Sequence, residues 1–347
     1  MPPTVAARLQ ARAVRQLSAL PRPLRRMLAG RPPRQAGRGL ALDAQLLLRL
    51  QRLFVTSPVD AALSTTRAAM ARSGYVLGGR PVGPVRTSEV VVPGPAGAIA
   101  ATLYTPDSGP QASALLLYFH GGGWVAGSRE SHDSTARFLA HRSGVQVLLP
   151  EYRLAPEHVF PAAVDDAMAA FAFAHAQAGR LRADPARIAV GGDSAGGNLA
   201  AVVAQLSRGG AESAAYQLLL YPNLDASTVR RSHEAFGEGF VVTRSELAWA
   251  LDHYAPAGVD RADPRLSPLL GADLRGLPPA FIAVPGFDLL RDEALEYARR
   301  LREAGVPTTV NLQPDLTHGY ASMLGLGQRF REATAEAADA LRAALAR

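Results

Sequence analysis

Neither cysteine nor lysine occurs anywhere in the 347 residues. Without cysteine there are no disulfides and no Cys-ligated metal, and nothing in the chain reports its redox compartment. Without lysine every basic side chain is an arginine, which reads as genome composition, and no phosphate loop ending in Gly-Lys-Ser/Thr can be built. Acid is missing from the first 40 residues, which hold nine arginines, so the net charge of +7 divides into a +9 arm and a remainder of −2. Aromatics make up only 6%, and none precedes Phe54. Nucleic-acid binding needs a basic patch with a reading module or stacking aromatics, so no nucleic-acid partner is expected of the arm. Long apolar runs are absent too. "LLLRLQRLFV" from Leu46 is broken by Arg49 and Arg52, too short and too charged to span a bilayer, and no secretory apolar region follows the first arginines. The chain is accordingly read as cytoplasmic.

What is present is 48% hydrophobic and 19% charged, which suits a soluble globular protein with a sizeable core. The arm, residues 1–40, is read as a frayed basic helix or part of a cap. Val5, Leu9, Leu17 and Leu20 lie roughly on one helical face with Arg8, Arg12 and Arg15 nearby, a pattern that also suits weak contact with a membrane surface. Residues 21–39, rich in Pro, Gly and Arg, read as a linker or irregular segment. Helical periodicity follows over 41–73, and a hairpin is expected near 88–105.

From "ALLLYFH" onward, apolar strands alternate with helices. The strands are "ALLLYFH", "VQVLLPEYR", "RIAVGGD", "YQLLLYPNL", "FIAVPGFD" and "TTVNLQP". Strands apolar throughout, alternating with helices, predict a buried and mostly parallel sheet wrapped on both faces, an α/β fold. Residues 225–262 interrupt the alternation and are expected to lie over the carboxyl edge of the sheet, where open α/β sheets place their ligands. The expected organisation is thus the arm, a helical cap over 41–85, and a catalytic domain over 86–347 carrying the insertion.

Between "RIAV" and the helix "LAAVVAQL", the sequence reads G-x-S-x-G at Gly192, Ser194 and Gly196. A strand and a helix joined through so short a bend force strained angles on Ser194 and leave little room two residues before and after it. The serine would stand above the sheet edge at a helix N-terminus, where negative charge is favoured. By itself the spacing also fits a glycine-rich turn or a phosphate cradle. "YFHGGGW", Tyr118–Trp124, raises the first reading, because three glycines after a strand let backbone N–H groups converge on one oxygen. The oxyanion hole is therefore expected from the N–H groups of Gly122, Gly123 and Ala195, with His120 bracing the loop.

A serine needs a base, and the base a carboxylate. Of eight histidines, His132, His141 and His175 fall in predicted helices as ordinary residues, His158 in a Pro-rich loop, and His233 and His253 in the insertion. His318 lies in a late loop after "TTVNLQP", and Asp288 directly follows "FIAVPGF", with Asp292 the rival acid. The order Ser194, Asp288, His318 matches that of α/β-hydrolases.

The residues resemble the hormone-sensitive-lipase-like, bacterial family IV esterases of the α/β-hydrolase superfamily. The resemblance rests on "HGGGW", "EYRLAPEHVFPAAVDDA", "GGDSAGGN", "DPRLSPLLGADLRGLPPAFI", "FDLLRDEALEYARRLREAGV" and "HGY", and covers roughly residues 40–347. It implies an α/β-hydrolase fold with a helical cap, a Ser194–Asp288–His318 triad, and hydrolysis of short- to medium-chain esters, with no cofactor and no metal. Asp288-Leu289-Leu290 stands where the family usually has Asp-Pro-Leu, and Tyr320 where it usually has Phe. Trp124, Phe236, Phe240 and Trp249 are expected either to wall the substrate pocket or to form the core of the cap. An acyltransferase or amidase could run on the same triad, whereas the receptor members that this group resembles lack the histidine present here as His318. The expected partners are a small-molecule ester and a second copy of the chain.

Overall fold

A computed structural model describes residues 4–54, 57–107 and 113–346. The chain opens with helices α1 (Val5–Ala19) and α2 (Arg22–Ala29), a two-residue hairpin of β1 (Arg34–Gln35) and β2 (Arg38–Gly39), then α3 (Leu42–Phe54) and α4 (Leu63–Gly78). The hairpin β3 (Val85–Gly94) and β4 (Gly97–Pro106) leads into β5 (Ser113–Phe119), α5 (Asp133–Ser143), β6 (Gln146–Pro150), α6 (Ala162–Ala176) and the single turn α7 (Ala178–Leu181). Next come β7 (Ala183–Asp193), α8 (Ala195–Leu206), β8 (Gln217–Leu220), the inserted α9 (Arg231–Phe236) and α10 (Arg244–Tyr254), β9 (Ala280–Phe287), α11 (Arg291–Glu303), β10 (Thr308–Thr317) and α12 (Gln328–Leu345).

Eight strands form one sheet in the order β10-β9-β8-β7-β5-β6-β4-β3. The six from β5 to β10 pair in parallel, and the β3–β4 hairpin closes one edge antiparallel. Leu115, Leu117, Ile188, Val190, Leu219 and Ile282 fill a core on one face with α6, α8 and α11. Leu116, Tyr118, Ala189, Leu218, Phe281 and Ala283 fill one on the other with α5 and α12. Alternate residues of each strand enter opposite layers, which is why these strands read as unbroken apolar runs. The parallel strands place His120, Ser194, Tyr221, Asp288 and His318 just past their carboxyl ends, all along one edge.

Residues 21–39 are not an irregular linker. Pro23 sits in the first turn of α2, where a missing N–H costs nothing, and Gly30 at φ 72° ends the helix. Arg25 reaches from α2 to Asp43 of α3 at 2.6 Å, so this segment is fastened to α3. The face of α1 that packs is also not the leucine face. Ala7 and Ala11 are buried, α1 lies against α4, and Val5 and Leu9 point to solvent. Among the described residues no helix is long and apolar enough to cross a membrane.

Candidate active site

Ser194 caps α8 with φ 55° and ψ −119°, a conformation most side chains avoid. The strain is held from both sides. Ser194 N–H donates to Leu220 O at 2.9 Å, and its carbonyl accepts from Asn198 N–H and Asn223 N–H at 3.1 and 3.2 Å. Asn198, fully buried, spends its amide on the carbonyls of Asn223 and Leu266. A Cβ on Gly196 would overlap the Phe119 carbonyl, and one on Gly192 would overlap the backbone of Gly196. The two glycines are thus required by the approach of β7 and α8 to each other and to β5.

His318 Nε2 lies 3.0 Å from Ser194 Oγ, and His318 Nδ1 lies 2.8 Å from Asp288 Oδ2. A carboxylate only accepts, so Nδ1 carries a proton and Nε2 offers its lone pair to the serine hydroxyl. Leu290 N–H donates to Asp288 Oδ1 at 2.9 Å, which orients the carboxylate although Leu289 stands where the resemblance predicts proline. Asp292 is spent elsewhere, accepting from Ser232 N–H at 2.9 Å and pairing with Arg291.

Gly122 (φ 125°) and Gly123 (φ 64°) turn the loop after β5 in the left-handed region that favours glycine. Among the described residues, the N–H groups of Gly122, Gly123 and Ala195 have no protein acceptor. That leaves three donors free, Ala195 next to the serine and two in the glycine loop after β5. His120 is buried and stacks on Tyr152 at 4.2 Å between centroids. It lies 2.9 Å from Gly121 O, so Nδ1 is its donor. Burial, with His132 nearby, lowers its pKa to about 3, so it is neutral and braces the loop.

Of its two expected places, pocket wall or core, Trp124 takes the core. Its ring is fully buried and stacks on Tyr254 of α10 at 4.7 Å, so it fastens α10 to the glycine loop and has no surface to offer a ligand. Phe236 is likewise buried, in edge contact with Phe240 and Phe287. Phe240 and Trp249 remain partly exposed, Trp249 beside His253.

Three residues that sequence reasoning missed support the site. His132 is buried at the start of α5, 3.2 Å from Asp193. Tyr221, at φ 39°, lays its ring against His318 with centroids 4.8 Å apart and accepts from Ala321 N–H at 3.3 Å, steadying the histidine loop. Arg67 of α4 donates to Val125 O and Ala155 O, each at 2.9 Å, and pairs with Glu157. None announces itself locally, because each partner lies far away in sequence. Among the described residues, no group of three His, Asp or Glu is arranged to hold a metal ion.

Residues 116–322 match the family described as the alpha/beta hydrolase fold. The chain is 44% identical to the carboxylic ester hydrolase LipN of Mycobacterium tuberculosis over 344 residues, 96% of this chain and 91% of that one. It is 42% identical to the ethyl acetate hydrolase of Pseudomonas putida over 225 residues, 64% of this chain and 71% of that one. Among solved structures it is similar to a hyperthermophilic esterase from the archaeon Pyrobaculum calidifontis. The TM-score is 0.81 and the identity 34%, over 88% of this chain and 98% of that one.

Proposed function

The chain belongs to the hormone-sensitive-lipase-like esterases of the α/β-hydrolase superfamily, serine hydrolases that cleave carboxylic esters, and we propose that Ser194, His318 and Asp288 do the chemistry in it. The observation that carries this is the strained Ser194 with His318 Nε2 at 3.0 Å and Asp288 holding the far nitrogen at 2.8 Å. His318 takes the Ser194 hydroxyl proton as Oγ attacks the ester carbonyl carbon. The negative charge gathers on the carbonyl oxygen, where the N–H groups of Gly122, Gly123 and Ala195 receive it. Asp288 stabilises the imidazolium. His318 then gives the proton to the departing alkoxide, and the acyl chain stays on Ser194. Water, deprotonated by the same nitrogen, releases the acid.

The acyl group in this proposal is short to medium. The cap sits close over the site, since a Cβ on Gly123 would lie 2.8 Å from Ala250 Cβ on α10. The named activity of the Pseudomonas putida relative, hydrolysis of ethyl acetate, points the same way. Phe240 and Trp249 are the aromatic groups left to contact substrate. Initial rates on p-nitrophenyl esters from acetate to palmitate, with Ser194→Ala alongside, test the reading. Turnover should peak below about ten acyl carbons and vanish in the variant. Turnover that survives the substitution overturns the assignment, and failure on every ester redirects it to acyl transfer or amides.

A specific observation also favours weak contact with an anionic membrane surface. Val5 and Met27 are 74% and 72% exposed among arginines, in an arm with no acid. Sedimentation with phosphatidylglycerol vesicles should fall in Leu9→Glu/Met27→Glu. Equal sedimentation of both proteins removes this contact from the proposal.

A further inference from the structure

Asp193 directly precedes the nucleophile, and its carboxylate is buried where water cannot serve it. It must be satisfied by protein groups or lose several kcal/mol. Its partners are specific. Tyr118 Oη and Gly121 N–H donate to Oδ1 at 2.8 and 3.1 Å, and His132 Nε2 lies 3.2 Å from Oδ2. Despite burial, which pushes the carboxyl up, His132 and Tyr118 bring it below its ordinary value, so Asp193 is ionised.

Gly121 opens the oxyanion loop, and His132 ends it at the start of α5. One carboxylate therefore holds both ends of the segment that carries Gly122 and Gly123. The fit is tight, because a Cβ on Gly121 would lie 2.5 Å from Asp193 Oδ2. Within the loop, Gly122 O accepts from Ala126 N–H at 3.0 Å, and Ser131 Oγ accepts from Ser128 N–H at 2.9 Å. Ser131 Oγ also sits 2.8 Å from His132 Nδ1, so the imidazole is gripped at both nitrogens. On the other side of Asp193, two residues along, is Ala195, the third free N–H. The β5–β7 pairing aligns the two segments as far as Phe119 and Gly192, and beyond it the Asp193 side chain ties the loop's two donors to the elbow's one.

We propose that Asp193 and His132 are positioning residues that set the oxyanion hole, the pair acting as a clamp between the nucleophile elbow and the glycine loop. It rests on the assignment of Ser194, whose own variant tests that assignment separately. A hole set at the right spacing is felt only when charge develops on the carbonyl oxygen. Loosening the clamp therefore lowers kcat and leaves KM nearly alone.

The test is steady-state kinetics on p-nitrophenyl butyrate, together with inhibition by an alkyl boronic acid, whose tetrahedral adduct presents an oxygen to the hole. His132→Ala should lower kcat ~10²-fold, with KM within ~3-fold, and should raise the boronate Ki by a similar factor. His132→Gln, whose amide can donate to Asp193 in place of Nε2–H, should recover most of the loss. Asp193→Asn should resemble His132→Ala, and the double variant should lose no more than the worse single one. Should Asp193→Asn fail to fold, Ser131→Ala serves, with a smaller fall in kcat and the same parallel rise in Ki. The clamp is overturned if kcat is unchanged, if KM absorbs the loss, or if Ki does not move. Activity that survives Ser194→Ala would instead sink the nucleophile assignment itself.

Discussion

Two imidazole–carboxylate pairs flank Ser194, wired in opposite ways. His318 gives one nitrogen to Asp288 and leaves the other facing the serine hydroxyl. His132 has both nitrogens engaged, one at Asp193 and one at Ser131, and faces no reacting atom. Both pairs are buried, and their separations are similar, 2.8 and 3.2 Å. What separates the two histidines here is therefore not burial or the carboxylate, but whether the second nitrogen faces the hydroxyl of Ser194. The same contrast covers His120, whose unprotonated Nε2 is buried without a partner, away from the serine.

The comparison is broken hardest at the triad. Asp288→Asn should cost ~10⁴ in kcat, because an amide can hold His318 in the wrong tautomer, against ~10² for the corresponding change at Asp193. Rates within tenfold of each other would erase the distinction between the pairs. Gly196→Ala attacks the elbow common to both. Its Cβ overlaps the Phe119 carbonyl, and a penalty on the order of 3 kcal/mol or more should appear as a large fall in Tm or loss of folded protein.

Acid sharpens the comparison on the loop side. The folded state holds His120 at a pKa of about 3 against an ordinary 6.5, so the unfolded chain binds that proton more readily. The resulting stability is complete above about pH 6.5 and is lost as pH falls toward 3. Glu157, held at about 2 by Arg67 against an ordinary 4.5, adds a loss in the same direction at lower pH. Tm followed from pH 7 to 3 should fall, and His120→Asn should flatten the upper part of that fall. The smallest effect is expected of Arg67→Gln, which frees α4 from Val125 O and Ala155 O. At about 1 kcal/mol it should lower Tm by roughly 2–4 °C while the reaction continues.

Much of this was legible in the chain. Apolar runs such as "RIAVGGD" and "FIAVPGFD" are strands because both sheet faces are covered, and each ends beside a residue of the site. The glycines around Ser194 announce the elbow because only close backbone contact needs them. Other features were not legible. Trp124 looked like a pocket wall because it follows the glycine loop, yet stacking on Tyr254, 130 positions away, drew it inside. Pro and Gly in residues 21–39 suggested a linker, although Pro23 sits in the first turn of a helix and Gly30 ends it.

By itself, the sequence determined the strand–helix alternation, the strained serine and the order in which Ser194, Asp288 and His318 follow one another past the strand ends, because these depend on local sterics, on periodicity and on spacing along the chain. Only the tertiary structure decided which histidine turns a nitrogen to Ser194. His132 and His318 are the same residue beside the same kind of carboxylate, and their difference lies in what the fold brings to the second nitrogen: a hydroxyl already tied to the backbone in one case, and in the other the hydroxyl of Ser194, 124 residues away.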